Sequence, residues 1–230
     1  MKTIGIIGGM SWESSLEYYR LLNEGVKARL GGLHSAKLLM DSLDFHPIEV
    51  LQHQGDWETL GGILASSAVR LETAGADLIL LATNTMHKVA PEIERSVRIP
   101  LIHIADAAAS AIKALRIEKV GLLGTKFTME QDFYHERLAS HGIETVIPGP
   151  DDREIVHHVI YNELCLGKIE DSSRNEFLRI IDKLVQAGAG GVVLGCTEIP
   201  LLVHQEHVDI PIFDTTKLHV EAALDFALQE

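Results

Sequence analysis

Residues 74–85 (AGADLILLATNT) and 187–198 (AGAGGVVLGCTE) are two versions of one segment, and this repetition narrows the possible folds more than any other feature. Aligned on Ala-Gly-Ala, they stand 113 residues apart, with Thr83 opposite Cys196 and Asn84 opposite Thr197. A second echo pairs residues 2–9 (KTIGIIGG) with 118–124 (EKVGLLG), and a third pairs IPLI at 99–102 with IPIF at 210–213. The three echoes keep their order, as a duplicated unit requires. Each glycine-ended apolar run is short and rich in β-formers, so it reads as a buried parallel strand followed by a turn. Capping boxes are expected at Ser14-Ser15-Leu16-Glu17 and at Thr128-Met129-Glu130-Gln131. Apolar stripes predict amphipathic helices before each copy of the long repeat: Leu60, Leu64, Ala68 and Leu71 in one, and Phe177, Ile181, Leu184 and Val185 in the other.

Strands alternating with helices imply parallel sheets covered on both faces. The expected fold is therefore α/β, with two pseudo-symmetric lobes that are each a parallel sheet flanked by helices. The first lobe is expected to cover 1–103 plus 211–230, and the second 104–210. In open parallel sheets ligands bind beyond the carboxyl ends of the strands. Thr83 and Cys196 end equivalent strands, which places the expected active site in the cleft between the lobes.

Composition excludes several function classes. A net charge of −13 argues against a nucleic-acid partner, which needs a basic footprint. No apolar run approaches the roughly 20 residues that span a bilayer, and the N-terminus reads as a first strand rather than a leader, so a cytoplasmic protein with no membrane partner is expected. Two cysteines, Cys165 and Cys196, suggest free thiols rather than a disulfide framework. The spacing of Gly5, Gly8 and Gly9 does not match G-x-G-x-x-G, which speaks against a dinucleotide site. Twelve histidines occur, but no H-E-x-x-H or Cys/His ligand spacing does, so no metal is expected.

At the paired strand ends the residues suit acid–base work on a small carboxylate. A cysteine at a strand-to-helix turn can act as a thiolate, and its pKa of about 8.5 falls near cations or helix N-termini. Asn84, Thr85 and Thr197 bring amide and hydroxyl groups to the same turns, and Thr125 follows the second glycine turn. Met10 lies in the first glycine turn.

Taken together, Gly8-Gly9-Met10, Thr83-Asn84-Thr85-Met86-His87 and Gly195-Cys196-Thr197-Glu198 resemble the motifs of the aspartate/glutamate racemase family, over essentially the whole chain. More narrowly, SWES, GGLHSA, TNTMHK and TMEQDFY resemble an enterobacterial branch of amino-acid racemases. The resemblance implies an isomerase that uses neither pyridoxal phosphate nor any other cofactor, is a homodimer, and acts on a small amino-acid substrate. It also implies that the final segment packs on the first domain. Racemisation removes the α-proton from one face of the α-carbon and returns one to the other, which two opposed groups do most directly. Thr83 and Cys196 are the implied pair, with Met10, Asn84, Thr85, Thr125 and Thr197 around the substrate.

Two departures separate this chain from the family pattern. Where the family carries its first catalytic cysteine, this chain has Thr83, whose hydroxyl is too weakly acidic to rest as a base. Cys196 is then expected to take the proton from an L-amino acid, with Thr83 or a water it orients serving the other face, which implies L-selectivity. Aspartate-specific members carry an Arg near residues 46–49 and a Lys near 165, where this chain has His46-Pro47-Ile48-Glu49 and Leu164-Cys165-Leu166. Gln52, His46 or Lys168 are the substitutes in reach, and the substrate range is open to neutral amino acids. A single-cysteine decarboxylase or isomerase of the same superfamily and an amino-acid-binding module are the alternatives.

Overall fold

The computed structural model describes residues 1–229 and divides into two compact units, Met1–Ile104 with the segment from His219 onward, and Ala105–Leu218. The first unit contains β1 (Ile4–Gly8), α1 (Trp12–Leu30), β2 (Leu38–Ser42), α2 (Phe45–Gln54), α3 (Trp57–Thr73), β3 (Leu78–Leu81), α4 (Ala90–Ser96) and β4 (Leu101–Ile102). The second contains α5 (Ile104–Ala114), β5 (Lys119–Gly124), α6 (Lys126–Glu130), α7 (Asp132–Ser140), β6 (Glu144–Val146), α8 (Pro150–Asn162), α9 (Asp171–Gln186), β7 (Val192–Gly195) and β8 (Ile212–Asp214). A last helix, α10 (Thr215–Leu228), passes back into the first unit at His219.

Both sheets are four-stranded and wholly parallel, and their strand orders are the same: β2-β1-β3-β4 and β6-β5-β7-β8. The repeat seen in the sequence is thus a repeat of topology. The second boundary falls at 218/219 rather than at the expected 210/211. Its cause is β8, whose Ile212–Asp214 pairs with β7 and so belongs to the second sheet.

In the first unit the strands separate two apolar clusters by simple alternation. Ile4, Ile6, Leu78 and Leu80 face Tyr18, Leu22 and Val26 of α1 and Val220, Ala223, Leu224 and Ala227 of α10. Ile7, Ile79 and Leu81 face Leu60, Leu64, Ala68 and Leu71 of α3. In the second unit Phe177, Ile181 and Leu184 of α9 are buried as expected, but Val185 is exposed. Ile180 takes its place, because 177, 180, 181 and 184 keep the helical spacing and 185 turns past the stripe.

The helix starts also differ from the expected capping boxes. Ser11, not Ser14, caps α1 and accepts from the Ser14 N–H, so Ser14 lies inside the first turn. Thr125 caps α6, placing Thr128 inside that helix, and a new helix starts at Asp132. In both cases the chain turns immediately after the strand's glycine and reaches a capping hydroxyl within three residues. Among the described residues no helix is long and apolar enough to cross a membrane.

Two features hold the first unit's edges. The first is Gly9, which adopts φ +88°, and a Cβ there would lie 2.0 Å from the Leu43 carbonyl oxygen. The second is His219, fully buried in α10, whose Nε2 bonds the Ile102 carbonyl at 2.6 Å and whose Nδ1 lies 2.7 Å from the Tyr18 hydroxyl. Burial pushes its pKa down to about 3, against the opposing pull of the Ile102 carbonyl.

Gly9→Ala is expected to cost on the order of 3 kcal/mol, because both the left-handed backbone and the Leu43 contact must give. Urea unfolding at neutral pH checks this; an unchanged midpoint would show that the turn tolerates a side chain. His219 is neutral when folded and has an ordinary pKa of about 6.5 when unfolded. Its contribution is therefore complete above pH 6.5 and declines as pH falls toward 3, by up to roughly 1.4 kcal/mol per pH unit. Urea titrations at pH 7.5, 6 and 5 are expected to show this fall, and His219→Phe to flatten it.

Candidate active site

The carboxyl ends of β1 and β3 bring the first group of candidate residues together. Ile7 pairs with Leu81, and the ladder runs on through the Ala82 N–H to the Ile7 carbonyl at 2.9 Å. Thr83 is the next residue, with its N–H turned back onto the Leu81 carbonyl at 2.8 Å. Thr83, Asn84 and Thr85 are all buried, and the chain passes directly into the short 3-10 helix Thr85–Val89. Met10 is buried in the turn after β1. That turn is held from inside by the Ser15 hydroxyl, which accepts from the Gly9 N–H at 2.7 Å and donates to the Ser11 carbonyl at 3.0 Å. Gln52 is buried on α2, its amide donating to the Met86 sulfur at 2.9 Å. It therefore stands beside the Thr83–Thr85 turn, whereas His46 on the same helix is exposed.

One residue of the Thr83–His87 motif was not among the expected site residues. His87 is almost fully buried, and its Nδ1 lies 2.8 Å from the Thr83 carbonyl. Its pKa is held well below the ordinary value, first by burial and then by the neighbouring rings of His103 and His219. The signal was present: a histidine four residues after a strand-end threonine reaches back over one turn.

The second unit repeats the arrangement with other chemistry. Gly124 pairs with Gly195, so Thr125 and Cys196 are the next residues on neighbouring strands. Cys196 is 8% exposed and packs in the apolar cluster that includes Leu123, Met129, Ile199 and Leu202. Its thiol donates to Glu198 Oε2 at 2.9 Å, and the Thr197 hydroxyl donates to the same oxygen at 2.8 Å. Glu198 is itself buried. Burial, then the Glu198 carboxylate, then Cys165 push the Cys196 thiol well above its ordinary pKa. The expectation of a thiol made acidic by its turn is thus reversed: the resting group is a protonated thiol pointed at a carboxylate.

The remaining expected residues are placed unequally. The Thr125 hydroxyl accepts from the Thr128 N–H at 3.4 Å, so capping already occupies it. Thr197 is half-buried beside Glu198. Cys165 is in no disulfide and packs against the Cys196 cluster. Lys168 is exposed on the turn after Gly167, where its backbone N–H bonds the Glu163 carbonyl at 3.0 Å. Among the described residues no group of three or more His, Cys, Asp or Glu is arranged to hold a metal ion.

Comparison with known proteins places this arrangement. A candidate Asp/Glu racemase from Yersinia pestis superposes over 100% of both chains with a TM-score of 0.94 and 54% identity. An aspartate racemase homologue from Pyrococcus horikoshii does so over 100% of both chains with a TM-score of 0.88 and 37% identity. A glutamate racemase from Roseiflexus sp. is 30% identical over 64% of this chain and 54% of its own length, so that match spans about half of the relative. Residues 7–223 match the Asp/Glu/Hydantoin racemase family, and the chain belongs to that family.

Proposed function

We propose that this chain is an amino-acid racemase that needs no cofactor, with Cys196 and Thr83 as its two proton-transfer groups. The observation that carries the reading is the Cys196 thiol lying 2.9 Å from the buried carboxylate of Glu198. A protonated thiol cannot accept an α-proton until its own proton leaves, and Glu198 Oε2 is the atom placed to receive it. The resulting thiolate takes the α-proton of an L-amino acid. The carbanion is then protonated on its other face by the Thr83 hydroxyl, directly or through a water that it orients, and the proton Thr83 gives up is restored from solvent as Glu198 releases the one it received. Asn84, Thr85 and Thr197 are assigned to the α-carboxylate, and Thr125, Met10 and Gln52 to the rest of the substrate.

The unequal pair gives inversion no net direction, because the enantiomers have equal free energy, but it makes α-proton exchange unequal between them. A threonine hydroxyl donates a proton far more readily than it accepts one at rest, whereas the thiol–carboxylate pair does both. Proton abstraction from the L-enantiomer is therefore faster than from the D-enantiomer. With Lys168 and His46 both exposed, no cation stands among the residues assigned to the pocket, and the proposal extends to neutral as well as acidic amino acids.

The protein incubated in deuterated water with L- or D-aspartate, glutamate or neutral amino acids is expected to show inversion from either enantiomer and total α-deuterium entry that is faster from the L side. Cys196→Ala is expected to reduce exchange to background with its circular dichroism unchanged; persisting exchange would move the chemistry elsewhere. Equal initial rates of deuterium entry from the two enantiomers would remove the assigned asymmetry.

Glu198→Gln keeps the size of the side chain but removes the proton acceptor. Exchange is expected to fall roughly a hundredfold or more. At the same time the titration of Cys196 alkylation by iodoacetamide, followed by peptide mapping, is expected to move to lower pH, because the neighbouring negative charge is gone. Undiminished exchange in this variant would show that Glu198 does not hold the proton.

A further inference from the structure

Three buried imidazoles, His87, His103 and His219, cluster in the first unit, and the nitrogens of His87 and His219 are already committed. The His87 and His103 rings are 4.6 Å apart between centroids, and the His87 and His219 rings 5.7 Å. A carbonyl oxygen only accepts and a backbone amide only donates, so the partners fix the tautomers. His87 carries its proton on Nδ1, which donates to the Thr83 carbonyl at 2.8 Å, while its bare Nε2 accepts from the Ile104 N–H at 3.2 Å. His219 carries its proton on Nε2, which donates to the Ile102 carbonyl at 2.6 Å, while its Nδ1 accepts from the Tyr18 hydroxyl at 2.7 Å. With both nitrogens of both rings used, the cluster is not a metal-ligand set.

The arrangement holds Thr83 by its backbone on both sides. Its N–H bonds the Leu81 carbonyl, and its C=O takes the proton of His87. His87 is in turn anchored to Ile104 at the start of α5, and packs on His219, which is fixed to β4 and α1. A strand-end residue would ordinarily lose its partner and turn to water; here the peptide after Thr83 is clamped inside the unit.

We propose that His87 is a positioning residue for Thr83, a neutral imidazole clamp that fixes the peptide plane after Thr83 and thereby the direction of its hydroxyl. The proposal rests on the reading of Thr83 as the second proton-transfer group. The Nδ1 donor is the part that matters for the reaction, while the Nε2 acceptor serves folding. Misplacement of a reacting group by about 1 Å costs as much as a hundredfold in rate. That loss falls only on the half-reaction that uses Thr83.

Two substitutions separate the ring's two bonds. The amide nitrogen of His87→Asn falls near the position of Nδ1 and keeps the donor to Thr83; in His87→Gln the amide oxygen falls near Nε2 and keeps the acceptor for the Ile104 N–H, while the donor to Thr83 is lost. Each variant gives up one buried hydrogen bond, so similar losses of thermal stability are expected from both. The reading that decides is the ratio of inverted product to total α-deuterium entry from L-aspartate and L-glutamate, because this ratio does not depend on how much protein is folded. His87→Gln is expected to lower the ratio roughly tenfold, since Cys196 still exchanges the L α-proton while return to the other face fails. His87→Asn is expected to keep the wild-type ratio.

Rates that fall in both variants in step with stability, at an unchanged ratio, would overturn the positioning role and leave Thr83's role intact. A wild-type ratio in Thr83→Ala, or no exchange in the wild type, would instead remove the reading of Thr83, and the clamp with it. Nitrogen NMR of the wild-type imidazoles gives a check that requires no variant to fold. A proton on His87 Nδ1 at neutral pH is expected, and one on Nε2 would overturn the proposal.

Discussion

The candidate proton-transfer residues of this protein stand at the ends of central strands that have no exposed face. Ile4–Gly8 and Leu78–Leu81 are buried at every position, and Val192–Gly195 likewise. With helices on both sides, strand side chains in the middle of a sheet must be apolar, and backbone groups are satisfied only by the neighbouring strands. Room for polar side chains therefore opens at the first residues beyond each ladder, where backbone partners change from strand to turn, and the proposed acid–base groups stand there. Thr83 and Cys196 occupy that position in their respective units. Each is followed by a short 3-10 segment rather than a long helix, so the turn itself supplies the neighbours: His87 in one case, Glu198 in the other.

The two turns solve opposite problems. At Cys196 a reactive side chain lies among apolar groups, and the nearby carboxylate determines where its proton goes. At Thr83 the side chain has little acid–base character of its own, so its geometry carries more weight, and the contacts fall on its backbone. The unit that lacks the thiol is also the one that builds a histidine cluster behind its strand end. A duplicated scaffold thus carries two unlike devices at matching positions, and the asymmetry of chemistry needs no asymmetry of fold.

Much of this was legible in the amino-acid sequence because strand burial is written as short apolar runs, which end in glycine in β1, β5 and β7. Such runs gave β1, β3, β5 and β7 and, through the repeat, their equivalence. Helix starts were less legible: serines and threonines recur near each turn, and Ser11 rather than Ser14 wins because it follows the tight turn directly. Val185 misled for a related reason, since one extra valine beside a stripe looks continuous until the helix rotates it outward. The direction of the Cys196 pKa shift was hidden because burial sets it and Glu198 adds to it, and only the fold shows that the thiol is enclosed and that the carboxylate turns back on the sulfur. His219 stands more than a hundred residues from its partner Ile102, and no local pattern connects them.

The path of the chain through the two units has a consequence for its synthesis. Val220, Ala223, Leu224 and Ala227 complete one of the first unit's two apolar clusters, and Leu224 packs where Gly25 leaves no room for a side chain. A ribosome delivers these residues only after the whole of the second unit. The second unit can close its own core as it emerges, while the first waits with the α1 side of its sheet uncovered. The segment made first is therefore the one that finishes folding last.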